Sequence, residues 1–160
     1  MAKVINVELS PKGVNNAIKE LRQYKQWVLE KETELRMRLA QRGAVVASIQ
    51  FSRAIYNGAK DVSVRVDDTG SVAVIYAEGE SVAFIEFGAG YKYGYGHPQA
   101  AQFGVGPGTY PGKGHWDDPK GWWFGSSQHS FGNPPAMAMW QAVQVMTEEI
   151  TKIAKEVFAT

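Results

Sequence analysis

The sequence predicts an α+β fold: a long N-terminal helix and a C-terminal helix packed on a small antiparallel sheet. Three observations carry that expectation. Apolar residues recur at helical spacing through roughly the first third of the chain, the period drops to two between residues 61 and 76, and helical spacing returns over the last quarter. The chain has 160 residues, 44% of them hydrophobic and 21% charged, which is ordinary globular composition and enough for one domain over 1–160.

Residues 4–9 read as a short edge strand or an ordered arm. Ser10-Pro11 then opens a helix, serine as N-cap and proline in the first turn. Val14, Ile18, Leu21, Val28, Leu35 and Leu39 form its apolar stripe, leaving Lys19, Arg22, Glu30, Lys31, Glu34 and Arg38 for solvent or a partner. Gly43 interrupts this pattern and predicts a kink or short break, after which the helix resumes to about Ile55 and closes at Asn57-Gly58.

Val62, Val64 and Val66 alternate with Ser63, Arg65 and Asp67, and Val72 to Tyr76 answers them across Asp68-Thr69-Gly70, which predicts a β-hairpin over 61–76. The apolar run 82–87 is read as a helical turn rather than a third strand. Twelve of the 17 glycines then fall between Gly88 and Gly132, together with Trp116, Trp122 and Trp123. A structureless loop of that length is unusual, and its aromatics argue against simple disorder. Residues 88–132 are therefore expected to form a long interaction loop that orders against another subunit, with one strand near 121–124. Pro134-Pro135 start the last helix, with Met139, Val143, Met146, Ile150, Ile153 and Val157 as its apolar stripe.

The absence of cysteine excludes disulfides, thiolate metal sites and cysteine nucleophiles. The N-terminus lacks the apolar core of a signal peptide, no apolar stretch approaches bilayer length, and the expectation is a protein without membrane partners. Net charge is +1, but residues 1–60 hold 11 Lys/Arg against 5 Asp/Glu, whereas 61–160 hold 6 against 11. Such halves are complementary from one copy to the next, although a solvated helix face is the commoner reason for such a split.

His97, His115, Asp117 and His129 are the right residue types for a metal-dependent hydrolase, but their spacing follows no ligand pattern and they sit on glycine-rich backbone. Gly104-Val105-Gly106-Pro107-Gly108 lacks the helix and Lys-Ser/Thr of a phosphate loop, and Ser126, Ser127 and Ser130 lack a nucleophile elbow. Trp116, Trp122 and Trp123 could stack a sugar, yet aromatic anchoring at a protein interface is the commoner use. No catalytic residue, metal or cofactor is assigned.

A long helix, a hairpin, the segment Phe84-Ile85-Glu86-Phe87-Gly88-Ala89, a variable loop and Asn133-Pro134-Pro135-Ala136-Met137 opening an apolar helix follow one another along most of the chain. In that order they resemble the minor virion proteins of long-tailed phages, and most nearly the gene-product-ten family of lambdoid-type phages, where the segment reads aromatic or apolar, Glu, then Phe-Gly-Thr. Ala89 and the long aromatic loop depart from that pattern. The resemblance implies a structural neck or tail-end protein, not an enzyme, located in the virion and assembled in the bacterial host cytoplasm. It implies a hexameric ring that completes or terminates the tail, meets the tail tube protein and the head-completion or connector proteins, and passes genomic DNA through its lumen. Arg36, Arg38, Glu86, Trp116, Trp122 and Trp123 are the expected subunit-interface residues, Glu86 as a buried or interfacial acid paired with Arg53 or Arg65 or, alternatively, capping a turn. Basic residues lining the lumen would hold the phosphates and slow ejection, which places Arg36 and Arg38 at subunit contacts instead.

Overall fold

The computed structural model of the chain describes residues 4–105, 118–124 and 126–159. Its elements are α1 (Pro11–Arg53), β1 (Ser63–Asp68), β2 (Ala73–Glu78), α2 (Val82–Phe87), β3 (Trp122–Phe124), β4 (Gln128–Ser130) and α3 (Ala138–Ala159). The architecture is α+β, with the two long helices and the small antiparallel sheet that the periodicity predicts.

α1 starts where its cap residues say it should: the Ser10 hydroxyl accepts the Gly13 N–H at 3.0 Å. It ends at Arg53, before Asn57-Gly58. The expected break at Gly43 does not occur, and α1 runs through it without interruption. The glycine answers to packing instead. A Cβ there would lie 2.6 Å from both Ile75 Cδ1 and Met146 Sδ, so Gly43 lets side chains of β2 and α3 close onto α1.

β1 and β2 pair antiparallel from Ser63↔Glu78 to Asp68↔Ala73. Alternation puts Val62, Val64 and Ala77 against the core of Ala47, Phe51, Ile85, Ala138 and Ala142, while Arg65 turns outward over the Tyr76 ring and bonds Asp67 and Glu78. The strand expected near 121–124 exists but does not join this hairpin. β3 pairs with β4 in a separate two-stranded ribbon, Trp122↔Ser130 to Phe124↔Gln128.

α3 begins at Ala138, not at Pro134-Pro135. The delay has a cause, because the N–H groups of Ala136 and Met137 donate to Ile85 O and Glu86 O, and Met137 takes a left-handed φ of 53°. α3 then runs antiparallel along α1. Arg42 grips Glu149 through two bonds of 2.9 and 2.8 Å, and Phe158 meets the Trp27 ring edge-on at 5.8 Å. With 43 residues α1 is about 65 Å long, and with 22 residues α3 is about 33 Å. Since α3 finishes beside Trp27, about four turns of α1, residues 11–25, project beyond it. Among the described residues no helix is long and apolar enough to cross a membrane.

Candidate functional site

The segment that carries the phage resemblance folds into a clasp between two helix ends. Every helix terminus leaves backbone groups without intrahelical partners. Here the two termini exchange theirs. The last carbonyls of α2, Ile85 O and Glu86 O, accept from Ala136 and Met137 at 2.8 and 3.2 Å, while the first amides of α3, Met139 N–H and Trp140 N–H, donate to the two oxygens of the Glu86 carboxylate at 2.9 and 3.1 Å. A carboxylate at a helix N-terminus also meets the positive end of the helix dipole.

Glu86 is buried, and so is His97, whose Nε2 lies 3.2 Å from Glu86 Oε1. Gln99 N–H donates to His97 Nδ1 at 3.1 Å, so the ring proton sits on Nε2 and is donated to the carboxylate. Both nitrogens of His97 and both oxygens of Glu86 are thus engaged within the chain. The pairing with Arg53 or Arg65 is not made. Arg65 is occupied by Asp67 and Glu78, which raise its pKa, and Glu86 takes the capping role, on α3 rather than on a local turn.

Around this pair the backbone closes tightly. Ala89 and Asn133 form an antiparallel bridge at 3.0 and 2.9 Å, and the Asn133 side-chain amide donates to Phe84 O at 2.8 Å. Gly88 holds φ +78° at the end of α2, and Gly132 holds φ +107° where a Cβ would fall 1.9 Å from Ala89 O. Phe87 and Trp140 pack on the His97 ring at 4.4 and 6.3 Å between centroids. Glu86, Gly88, Asn133 and the prolines therefore belong to one structural unit.

The remaining candidate residues lie apart from one another. Arg36 bonds Asp68, Glu32 and Gly70 O, tying the hairpin turn to α1, and the Gly70 N–H first, then Arg36, hold the Asp68 carboxyl below its usual range. Arg38 pairs with Glu34 at 2.6 Å and reaches Glu156 at 3.9 Å. Trp122 is buried beside Tyr56 and Phe84, whereas Trp123, next in the strand, is 60% exposed and lies against His129 at 4.6 Å. The two tryptophans occupy opposite faces of β3 and make no common stacking platform.

His129 sits between Trp123 and Phe131, away from His97, and the described residues contain no group of three potential metal ligands. Trp116, His115 and Asp117 lie outside the described residues. Sequence reasoning missed His97 as the partner of Glu86, because the glycine-rich segment 88–96 between them carries no periodic signal linking the two. It also missed the groove beside β2 described below. The chain matches no family model, no curated protein and no solved structure.

Proposed function

We propose that the chain is a structural protein of the phage neck or tail end, forming a ring, hexameric in its expected form, that completes or terminates the tail and meets the tail tube and the head-side connector proteins, with genomic DNA passing through its lumen. The single observation that supports this most is the contrast in how the chain uses its groups. The segment that resembles the phage pattern holds α2 to α3, and the apolar and aromatic surfaces that stay exposed are those suited to assembly. Val14, Ile18 and Leu21 are exposed on the projecting part of α1, and Trp123, Phe131, Tyr91 and Tyr93 are exposed beyond the clasp. Apolar and aromatic side chains in such numbers are typical of protein contact surfaces.

Solution mass across a concentration series, by light scattering or native mass spectrometry with negative-stain images, tests the reading. Rings, or monomers that become rings when tail tubes are added, are the expected result. A chain that stays monomeric with tubes present would overturn it.

A further inference from the structure

Residues 5–9, Ile5-Asn6-Val7-Glu8-Leu9, alternate apolar and polar in the pattern of a half-buried strand, yet among the described residues they pair with no strand, and Leu9 is 98% exposed. The same molecule carries a site that such a strand would fit. β2 pairs only with β1 among the described residues, so its second edge is open. Along β2 runs a largely apolar groove in two stretches, about 390 and 310 Å³, the first walled by Ala73, Val74 and Ile75 and the second by Ala77, with Met139 and Val143 of α3 shared by both. Three consecutive strand residues can line one groove only where it follows the strand's edge, since alternate side chains point to opposite faces.

The arm cannot reach this groove in its own chain. The near end of the groove is at Arg36, 25 residues along α1 from Pro11 and so about 38 Å away. Residues 4–10 span at most about 24 Å when fully extended.

Charge agrees with docking between copies. The projecting turns of α1 carry Lys12, Lys19, Arg22 and Lys25 against Glu20, and none of these four bases makes an ion pair among the described residues. Residues 61–80, the hairpin and its flanks, carry Asp61, Asp67, Asp68, Glu78 and Glu80 against Arg65, with Arg36 of α1 bonded to Asp68.

We infer that the N-terminal arm of one copy adds as a strand to the open edge of β2 in the next copy, seating its apolar face in the groove between β2 and α3 while the basic turns of α1 approach the acidic hairpin. This is β-strand addition in a head-to-tail contact, which closes into a ring when the rotation allows. It rests on the ring reading above and names the surfaces that make the ring.

The absence of native cysteine makes the test direct. Leu9→Cys and Val143→Cys proteins, each wild-type elsewhere, are mixed under mild oxidation beside the wild-type mass measurement. A Leu9–Val143 heterodisulfide is expected, and the Val7→Asp/Leu9→Asp double variant is expected to weaken self-association about 30-fold or more with the monomer's circular dichroism and Tm unchanged. If the wild-type chain forms rings but the Leu9→Cys and Val143→Cys mixture yields crosslinks only between Leu9→Cys copies, or if rings persist in the double variant, this docking is overturned and the ring reading stands. A wild-type chain that never associates would overturn both. Lys19→Glu/Arg22→Glu protein that assembles as the wild type does would overturn the pairing of α1 with the hairpin.

Discussion

The clasp and the projecting end of α1 sit at opposite extremes of how a chain can treat its polar and apolar groups. In the clasp, a buried carboxylate, a buried imidazole and the orphan backbone groups of two helix ends satisfy one another, and glycines bring the backbones within contact. In the projecting turns and the arm, Leu9, Val14, Ile18 and Leu21 face outward, and among the described residues Lys12, Lys19 and Lys25 make no ion pair. The difference teaches where to look for function: a distinctive motif whose every group is engaged internally positions the fold, and the groups left without partners are available to other molecules. Substitutions in the clasp should therefore cost stability of the single chain, and substitutions in the projection should cost assembly only.

Gly132→Ala is the strongest way to break that comparison. A methyl group would meet the Ala89 carbonyl, a backbone atom that cannot move without opening the Ala89–Asn133 bridge, and it would do so at φ +107°. We expect a loss of about 4 kcal/mol in urea unfolding. Gly43→Ala is its control, because the atoms a new Cβ meets there are the mobile ends of Ile75 and Met146 and alanine favours a helix; a change within about 1 kcal/mol is expected. Equal losses at the two glycines would show that the clasp has no special rigidity.

Glu86→Ala comes next. It leaves the His97 Nε2 proton and the amides of Met139 and Trp140 facing an apolar pocket without an acceptor, which should cost about 3 kcal/mol and accelerate amide exchange in the first turn of α3. Leu21→Ala in the projecting turns should change the unfolding free energy of the monomer by no more than about 0.5 kcal/mol. A Leu21→Ala chain as destabilised as Glu86→Ala would mean that the projecting turns are packed within the monomer after all.

Much of the fold was legible because it is written in periodicity and caps. Ser10-Pro11 marked the start of α1, the alternation around Val64 marked the hairpin, and the stripe from Met139 to Val157 marked α3. The misreadings share a physical cause: they concern contacts between distant segments. Gly43 has the same local signature whether it kinks a helix or admits Met146 and Ile75, and only tertiary packing decides between them. Pro134-Pro135 look like a helix start until the donation from Ala136 and Met137 to α2 delays it. Trp122 and Trp123 are equivalent in sequence and opposite in burial once β4 pairs with β3. Of the candidate site, Glu86 was legible as a buried acid or a cap; its partner His97 was not. The alternation in residues 5–9 was visible as a strand signal, and its missing partner strand is visible only in the structure.

Asp61 sharpens the comparison from between the two extremes. Like Glu86, it caps a helix from a distant segment: its carboxylate accepts the Glu80 and Ser81 amides and the Ser81 hydroxyl at the start of α2. Unlike Glu86, it is exposed. The Ser81 hydroxyl first, then these amides, hold its pKa down at about 2. A carboxyl depressed on folding stabilises the folded state fully above its unfolded pKa of about 4, and loses that contribution as pH falls through its folded value. Wild-type stability should therefore decline from about pH 4 toward pH 2, and Asp61→Asn should decline less over the same interval. A carboxyl titration of Asp61 by NMR with its midpoint at the ordinary value near 4 would mean that the α2 cap is open in solution, which would detach one end of the segment that the Glu86 clasp holds at the other.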